Sequence, residues 1–416
     1  MPLGSFYGVP TPIAKVRPGE MHLHEYQSKY LFHKYGIPLT KGILATSPQE
    51  VYDIARELGG SVVVKAQVTT TGRGRAGGIK LARSAEQART HAESIFGMTI
   101  GGQRVHKLLV DPLADIAQEF YLGIKFDRGQ VAPVLTAIAG AGGKLAPSHA
   151  RNTGKIISEV IDPLIGLRDF QIRQILTTLD IAREYWKSFS EIAHRLYDCF
   201  HENDAVLAEL NPLALTPGGQ FVCVDGRLVL DDAGLFRHPD LADMRDLQAE
   251  TPQAIRAREL GLSYVQLSGE IGCLVNGAGL ALTLLDLTHE AATQAGYPQA
   301  TLANFVDLGG GARAEHVLAA MGLMLRHPSV RAVLISVFGG ITRCDEIARG
   351  ILSAVEQMHV RLPLVVRLAG TRAVEGHTLI DEAQLTNVQS ARTLREAAEK
   401  AVSSVILTGH LGDLGE

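Results

Sequence analysis

Apolar and polar positions along this chain fall into blocks whose period changes near the middle. His22 to Tyr35 carries helical spacing, with Leu23, Tyr26, Tyr30 and Leu31 able to share one face and Gly36 and Pro38 to stop it. Ser47-Pro48-Gln49-Glu50 predicts a helix start: Ser47 as N-cap, Pro48 at the first helical position and Glu50 completing a capping box, with the end at Gly59-Gly60. Val62 to Val68 reads as a buried strand, Ser84 to Phe96 as a helix, and Lys107 to Val110 as a strand closed by Asp111-Pro112. A further strand opens at Glu119 and another spans Val131 to Ala139. Arg168 to Tyr197 predicts two helices with Trp186 and Phe189 in the core. Val206–Leu215 and Phe221–Leu230 then form a hairpin about Thr216-Pro217-Gly218-Gly219, where Pro presets φ and Gly permits φ > 0.

Asp240 to Gly261 reads as a polar linking helix, which places a domain boundary near residue 262. Beyond it one theme repeats: strand, glycine turn, helix. Gly272–Val275 leads into Asn276-Gly277-Ala278-Gly279, and Ala303–Asp307 into Leu308-Gly309-Gly310-Gly311. Arg331–Val337 leads into Phe338-Gly339-Gly340-Ile341-Thr342, and Leu364–Arg367 into Leu368-Ala369-Gly370-Thr371. Strands alternating with helices predict a parallel sheet, and ligands of such sheets gather at the carboxyl ends of the strands. Unpaired N–H groups and dipole ends at helix N-termini favour anions there. The helix from Arg343 is the sharpest case, with Thr342 as N-cap and Asp345 three residues on.

Candidate chemistry concentrates in the first half. Lys65 stands among valines, a costly place for a cation unless an anion pairs with it. The loop Thr69 to Gly78 follows directly; its glycines let backbone N–H groups approach phosphate oxygens, and Arg73 or Arg75 adds charge. The hairpin brings Asn211 near Asp225, an amide oxygen and a carboxylate that suit a Mg²⁺ also held by phosphates and water. The competing reading is a hairpin with a wet polar face. Glu209 lies two positions from Asn211, so on a strand both side chains face one side. His149 has no group nearby to orient or activate it as a nucleophile.

With 416 residues, two or three domains are expected. The formal net charge of −4 argues against nucleic acid as a partner. Cys199, Cys223, Cys273 and Cys344 are scattered without a CxxC, which reads as reduced thiols and not as a zinc site. Ile271 to Leu285 is too short and too polar to span a membrane. Residues 1–20 lack the apolar run of a secretory signal and read as a leader or tail.

From Met21 to about Leu407 the chain resembles the β subunits of succinyl-CoA synthetases (succinate–CoA ligases). The resemblance is carried by HLHEYQSKYLFHKYGIP, VVVKAQV with GRGRAGG, EFYLG, ELNPL, VDGR, GLFRHPDL, VNGAGLA, FVDLGGGA, FGGITRCD and VVRLAGT. It implies an α/β chain: an ATP-grasp domain over residues 21–261, then a flavodoxin-like parallel α/β CoA-ligase domain over 262–416. It implies an ADP-forming acid–thiol ligase of the tricarboxylic acid cycle, using ATP (GTP being the alternative) with Mg²⁺. The partner would be an α subunit that carries a phosphohistidine and the CoA site. It would act in the cytoplasm, or in the mitochondrial matrix of a eukaryote.

Residue by residue, the resemblance assigns Lys65, Gly72, Arg73, Gly74, Asp111, Ala114 and Glu119 to the nucleotide, and Asn211 and Asp225 to the metal. It gives Glu209 the role of steadying the partner's phosphohistidine, a second metal ligand being the other reading. Asn276, Gly340, Ile341 and Thr342 fall to the substrate carboxylate and phosphohistidine region. The chain departs from the family at Asp111, where Glu is usual, and in the basic stretch holding Lys144, His149, Arg151 and Lys155, where acidic residues are usual. The same motifs fit malate–CoA or citrate–CoA ligation. A stand-alone ATP-grasp ligase and a non-catalytic nucleotide sensor are further readings.

Overall fold

The computed structural model describes residues 19–140 and 155–412. The leader and the stretch holding Lys144, His149 and Arg151 lie outside the described residues. The chain divides into two compact units between Ala249 and Glu250, earlier than the boundary expected near 262. The reason is visible at Ala257, which is buried in the core of the second unit.

In the first unit, β1 (Glu20–His22) and α1 (Glu25–Lys34) precede a small lobe. That lobe comprises β2 (Ile43–Ala45), α2 (Pro48–Glu57), β3 (Val62–Ala66), β4 (Ile79–Ala82), α3 (Ala85–Ile95), the ribbon β5 (Thr99–Ile100) and β6 (Gln103–Arg104), and β7 (Leu108–Pro112). A larger lobe follows: β8 (Gln118–Asp127), β9 (Ala132–Ala139), β10 (Lys155–Val160), α4 (Asp169–Thr178), α5 (Trp186–Glu202), β11 (Ala205–Leu215), β12 (Phe221–Cys223), β13 (Gly226–Asp231) and the short α6 (Pro239–Ala242). The small sheet runs β2-β7-β3-β4 and the large one β1-β13-β11-β8-β9-β10, with β12 beside β11. Every strand pair in both is antiparallel. Helix α2 starts on the expected cap, Ser47, which accepts from Glu50 N–H, and α3 is capped by Ser84, which accepts from Gln87 N–H.

Helix α1 differs from the face expected for it. Tyr30 is exposed, whereas Glu25, Lys29, Leu31 and Phe32 are buried. Phe32 packs against Gly226, where a Cβ would come within 2.7 Å of the ring, and Ser28 Oγ accepts from Leu228 N–H at 3.0 Å. The helix is thereby fastened to the hairpin with two charged side chains facing inward. The hairpin itself has a broken second arm: Val224 and Asp225 interrupt the apolar run between β12 and β13.

The second unit contains α7 (Pro252–Glu259), β14 (Ser263–Gln266), β15 (Ile271–Val275), α8 (Ala278–Gln294), β16 (Leu302–Asp307), α9 (Ala314–Met324), β17 (Ala332–Gly339), α10 (Cys344–Met358), β18 (Leu364–Gly370), α11 (Ala373–Glu382), β19 (Val388–Ser390) and α12 (Leu394–Gly412). The expected single linking helix over 240–261 is instead α6, a 3₁₀ turn at Leu247–Ala249 and α7, because Thr251-Pro252 starts a new helix with Thr251 as its cap. Its sheet runs β14-β16-β15-β17-β18-β19, parallel except for the edge strand β14. Without that edge strand the order is the 2-1-3-4-5 of flavodoxin-like sheets, and its switch point falls between β15 and β17. Strand residues alternate between two cores, Leu274, Val333 and Ile335 on one side and Cys273, Val275 and Leu334 on the other. A parallel sheet covered by helices on both faces requires this.

Candidate functional site

Two regions far apart in sequence meet in the first unit. Lys65 enters from β3, Arg73 from the glycine loop after it, and Asp225 from the break between β12 and β13. Lys65 is 3% exposed, and its Nζ lies 2.7 Å from Glu25 Oε1, 2.7 Å from Asp111 Oδ2 and 2.9 Å from the Val224 carbonyl. Arg73 Nη2 donates to Asp225 Oδ2 at 2.5 Å and lies 2.6 Å from Glu25 Oε2. Lys29, one helical turn beyond Glu25, donates to Asp111 Oδ2 at 2.6 Å and to Thr40 Oγ1 at 2.9 Å. Three carboxylates therefore face three cations. Burial alone would raise the Glu25 pKa, but Arg73, Lys65 and Lys29 hold it well below the usual carboxylate range. Lys65 shifts the opposite way: burial disfavours its charge, but Glu25, Asp225 and Asp111 raise its pKa above the ordinary lysine value. The anion that a lysine in this strand demands is thus supplied by the protein itself.

Asp111 departs from a ligand-facing role for its side chain. It is 1% exposed, and its carboxylate is taken up by Lys29, Lys65 and the Thr40 hydroxyl, which leaves only its main chain for a nucleotide. Ala114 lines a cavity of about 530 Å³ with Ile37, Leu39, Lys41, Gln220 and Phe221. Glu119 is half-buried on β8, opposite Ala214. Gly72 and Gly74 lie in the loop beside Arg73, Gly72 with φ of +87°.

On the hairpin, Asn211 N–H donates to the Asp225 carbonyl at 2.8 Å, so the two residues are neighbours. Glu209 pairs across the sheet with Arg227 and accepts from Tyr121 Oη at 3.0 Å. Its neighbours Ala208 and Leu210 are fully buried, so Glu209 and Asn211 lie on the opposite face of the strand from the core. Burial pushes the Glu209 carboxyl above its ordinary pKa, opposed by Arg227 and the Tyr121 hydroxyl. Arg227 also donates to His22 Nδ1 at 2.9 Å. Burial, then Arg227, brings His22 down to about 4, so the ring is neutral near pH 7.

In the second unit the glycine turns are tied to one another. Asn276 Nδ2 donates to the Phe338 carbonyl at 2.8 Å and its Oδ1 accepts from Phe338 N–H at 2.9 Å, bridging the ends of β15 and β17 at the switch point. Asp307 Oδ1 accepts from Gly277 N–H and Gly309 N–H. Thr342 is not the N-cap expected of it. That position is Arg343; Thr342 is 2% exposed and its Oγ1 accepts from Gly311 N–H at 3.0 Å. Asp345 is buried against Arg343 and Arg349 and completes no capping box. A Cβ at Gly370 would lie 2.1 Å from the Gly339 carbonyl, so this approach of two turns requires glycine. Gly340 and Ile341 stand out from the sheet end, Ile341 88% exposed.

Glu25, Lys29, Tyr121 and Arg227 carry no site role in the sequence reading. The one signal for the first two was their i, i+4 spacing on a helix otherwise read for its apolar face.

Residues 22–215 match the family model of the ATP-grasp domain, and residues 274–402 match that of CoA-ligase. The β subunit of ADP-forming succinate–CoA ligase from Herpetosiphon aurantiacus is 44% identical over 383 residues, which covers 92% of this chain and 99% of the relative. The corresponding subunit from Nitratiruptor sp. is 41% identical over 393 residues, 92% of this chain and 99% of its own. Among solved structures, ATP citrate lyase from Methanothrix soehngenii superposes with a TM-score of 0.71 at 18% identity, covering 92% of this chain and all of that one, a likeness of fold. At these identities and coverages, the chain belongs to the family of β subunits of ADP-forming succinate–CoA ligases.

Proposed function

We propose that this chain is the nucleotide-using β subunit of a succinate–CoA ligase, which joins succinate to CoA at the expense of ATP and releases ADP and phosphate. The observation that carries this reading is the meeting of Arg73 with Asp225 at 2.5 Å, which joins the candidate phosphate loop to the candidate metal hairpin.

Lys65 and Arg73 would hold the nucleotide phosphates, with the main chains of Gly72 and Gly74 beside them. The cavity beside Ala114 would accept the base, and the Glu119 carboxylate the ribose hydroxyls. Asn211 and Asp225 would hold Mg²⁺: their main chains are neighbours, one brings an amide oxygen and the other a carboxylate, of which Oδ2 now faces Arg73. A two-residue site completed by phosphate oxygens and water is the usual arrangement for this ion. The ion would supply positive charge against the phosphates.

A carboxylate does not accept a thiol directly, so the acid must first become an acyl phosphate. The phosphoryl group would travel on a histidine of an α subunit, which would also bind CoA. Glu209 would accept the imidazole N–H and fix its tautomer; the Tyr121 hydroxyl would orient the carboxylate and the Arg227 charge would favour its ionised form. The turn Gly340-Ile341-Thr342 and Asn276 would frame the carboxylate and phosphate region of the second unit. Asn276 would do so by holding the Phe338 backbone.

Co-purification with an α-type partner, followed by assay with succinate, malate and citrate in the presence of CoA and ATP or GTP, tests the proposal. Succinate should turn over fastest, and only with the partner present. Ligation by the isolated chain, or preference for citrate or malate, would overturn it.

A further inference from the structure

Glu25 has a place in this site that the proposed reaction does not explain. Its side chain is 1% exposed, and its two oxygens divide between the cations assigned to the phosphates: Oε1 lies 2.7 Å from Lys65 and Oε2 lies 2.6 Å from Arg73. The carboxylate is not on a loop that can swing aside. It sits in the first turn of α1, whose Phe32 fills the space that only glycine leaves at 226. The same helix accepts from Leu228 N–H through Ser28, and its Gln27 side chain donates to the Met244 carbonyl at 2.6 Å. An incoming phosphate must therefore share Lys65 and Arg73 with a fixed negative charge.

Lys29 acts in the opposite sense. It is 4% exposed, 3.4 Å from Glu25 and 2.6 Å from Asp111. The six groups, Glu25, Asp111 and Asp225 against Lys29, Lys65 and Arg73, sum to zero formal charge. A neutral cluster attracts an anion less strongly than a cationic one of the same shape, and in a site largely removed from water one unit of charge has a large effect. Tight binding of the product nucleotide would slow turnover without helping the chemistry.

We propose that Glu25 and Lys29 set the nucleotide affinity through the net charge of the buried cluster, with Glu25 an internal rival of the phosphates for Lys65 and Arg73. Both are positioning residues that act through Lys65 and Arg73. The inference rests on the nucleotide reading given above.

ADP binding to the full chain in the presence of Mg²⁺, measured by titration calorimetry at low and high salt, tests it. Glu25→Gln should tighten ADP binding about tenfold, with a steeper loss on adding salt. Lys29→Met should weaken it about tenfold, and the double variant should return to within about threefold of the parent. Urea unfolding of each variant confirms that it is folded. A merely structural role would weaken binding in all three variants, and that result, or unchanged affinity in Glu25→Gln, overturns the inference. Should Glu25→Gln fail to fold, Lys29→Met decides through its salt dependence: a folded variant with weaker binding and a shallower loss on adding salt supports the inference, and parental affinity or a parental salt slope overturns it. Lys65→Met separates the two levels. Unchanged ADP affinity there defeats the nucleotide reading and the inference with it, whereas weakened affinity without tightening in Glu25→Gln defeats the inference alone.

Discussion

Replacing Lys65 by methionine should destabilise the first unit as well as impair its site. The lysine Nζ has three partners, Glu25, Asp111 and the Val224 carbonyl, and is 3% exposed. Methionine fills much of the stem's volume, so the loss is chiefly electrostatic. Removing one member of a buried ion pair costs about 3–5 kcal/mol because the remaining charge is uncompensated. Here Glu25 keeps Arg73 and Lys29, and Asp111 keeps Lys29 and Thr40, so the lower end applies, about 3 kcal/mol. The pH dependence carries the signature. Glu25 is held below the ordinary carboxylate pKa by Arg73, Lys65 and Lys29, so it stabilises the fold above its unfolded pKa and that stability is lost as pH falls through the folded value. Without Lys65 its folded pKa rises. The deficit against the parent should be full at pH 7, hold through the unfolded-state pKa, and shrink only as pH falls from the variant's folded-state value toward the lower one of the parent. Urea unfolding of the full chain across this range, followed by a probe in the first unit, measures it. A deficit under about 1 kcal/mol, or one independent of pH, would refute the claim that Lys65 is neutralised by these carboxylates.

Three further outcomes are expected. Asp225→Ala should abolish Mg²⁺-dependent phosphorylation of the partner subunit while the chain stays folded, since Asp225 is about one-quarter exposed at the hairpin break; normal phosphorylation would defeat the metal assignment. His22, with its pKa brought down to about 4 by burial and then by Arg227, stabilises the fold fully above its unfolded value of 6.5 and loses that contribution as pH falls toward 4. The loss is about 3 kcal/mol over that window, and His22→Gln should flatten this part of the stability curve. Asn276→Ala removes two hydrogen bonds to the Phe338 backbone and should lower the stability of the second unit by about 1–2 kcal/mol, read from its urea midpoint; no change would mean that the β15–β17 bridge is not needed to hold the turn.

Elements set by short-range signals were legible in the sequence. Ser47 caps the helix expected of it, a helix begins after Ser84, the valine strand carries Lys65, and four strand–glycine–helix repeats give the parallel sheet. Interactions that depend on tertiary approach were not. Periodicity on α1 picked Tyr30 for the inner face because it scores apolar side chains, whereas this helix turns inward a glutamate and a lysine whose partners come from β3, the glycine loop and β7. Thr342 has the composition of a cap, but its hydroxyl serves the Gly311 turn two strands away in the sheet. Asp111 was read beside a nucleotide from its place in a motif, and its burial under Lys29 and Lys65 follows from strand pairing that no local pattern shows. The linking helix broke where Thr251-Pro252 offered a new start, a signal present in the sequence and outweighed there by the polar character of the whole stretch.

In the proposed reaction, phosphate from a nucleotide held by this chain would reach a histidine on a partner subunit past Glu209. Transfer of labelled γ-phosphate from ATP to the co-purified partner tests it most directly, comparing the parent with Glu209→Gln. Acid-labile label should appear on the partner subunit in the parent, and transfer should be slowed by about 100-fold or more in the variant with ADP affinity unchanged. Equal transfer rates in the two proteins, or label that never leaves the nucleotide for the partner, would contradict it.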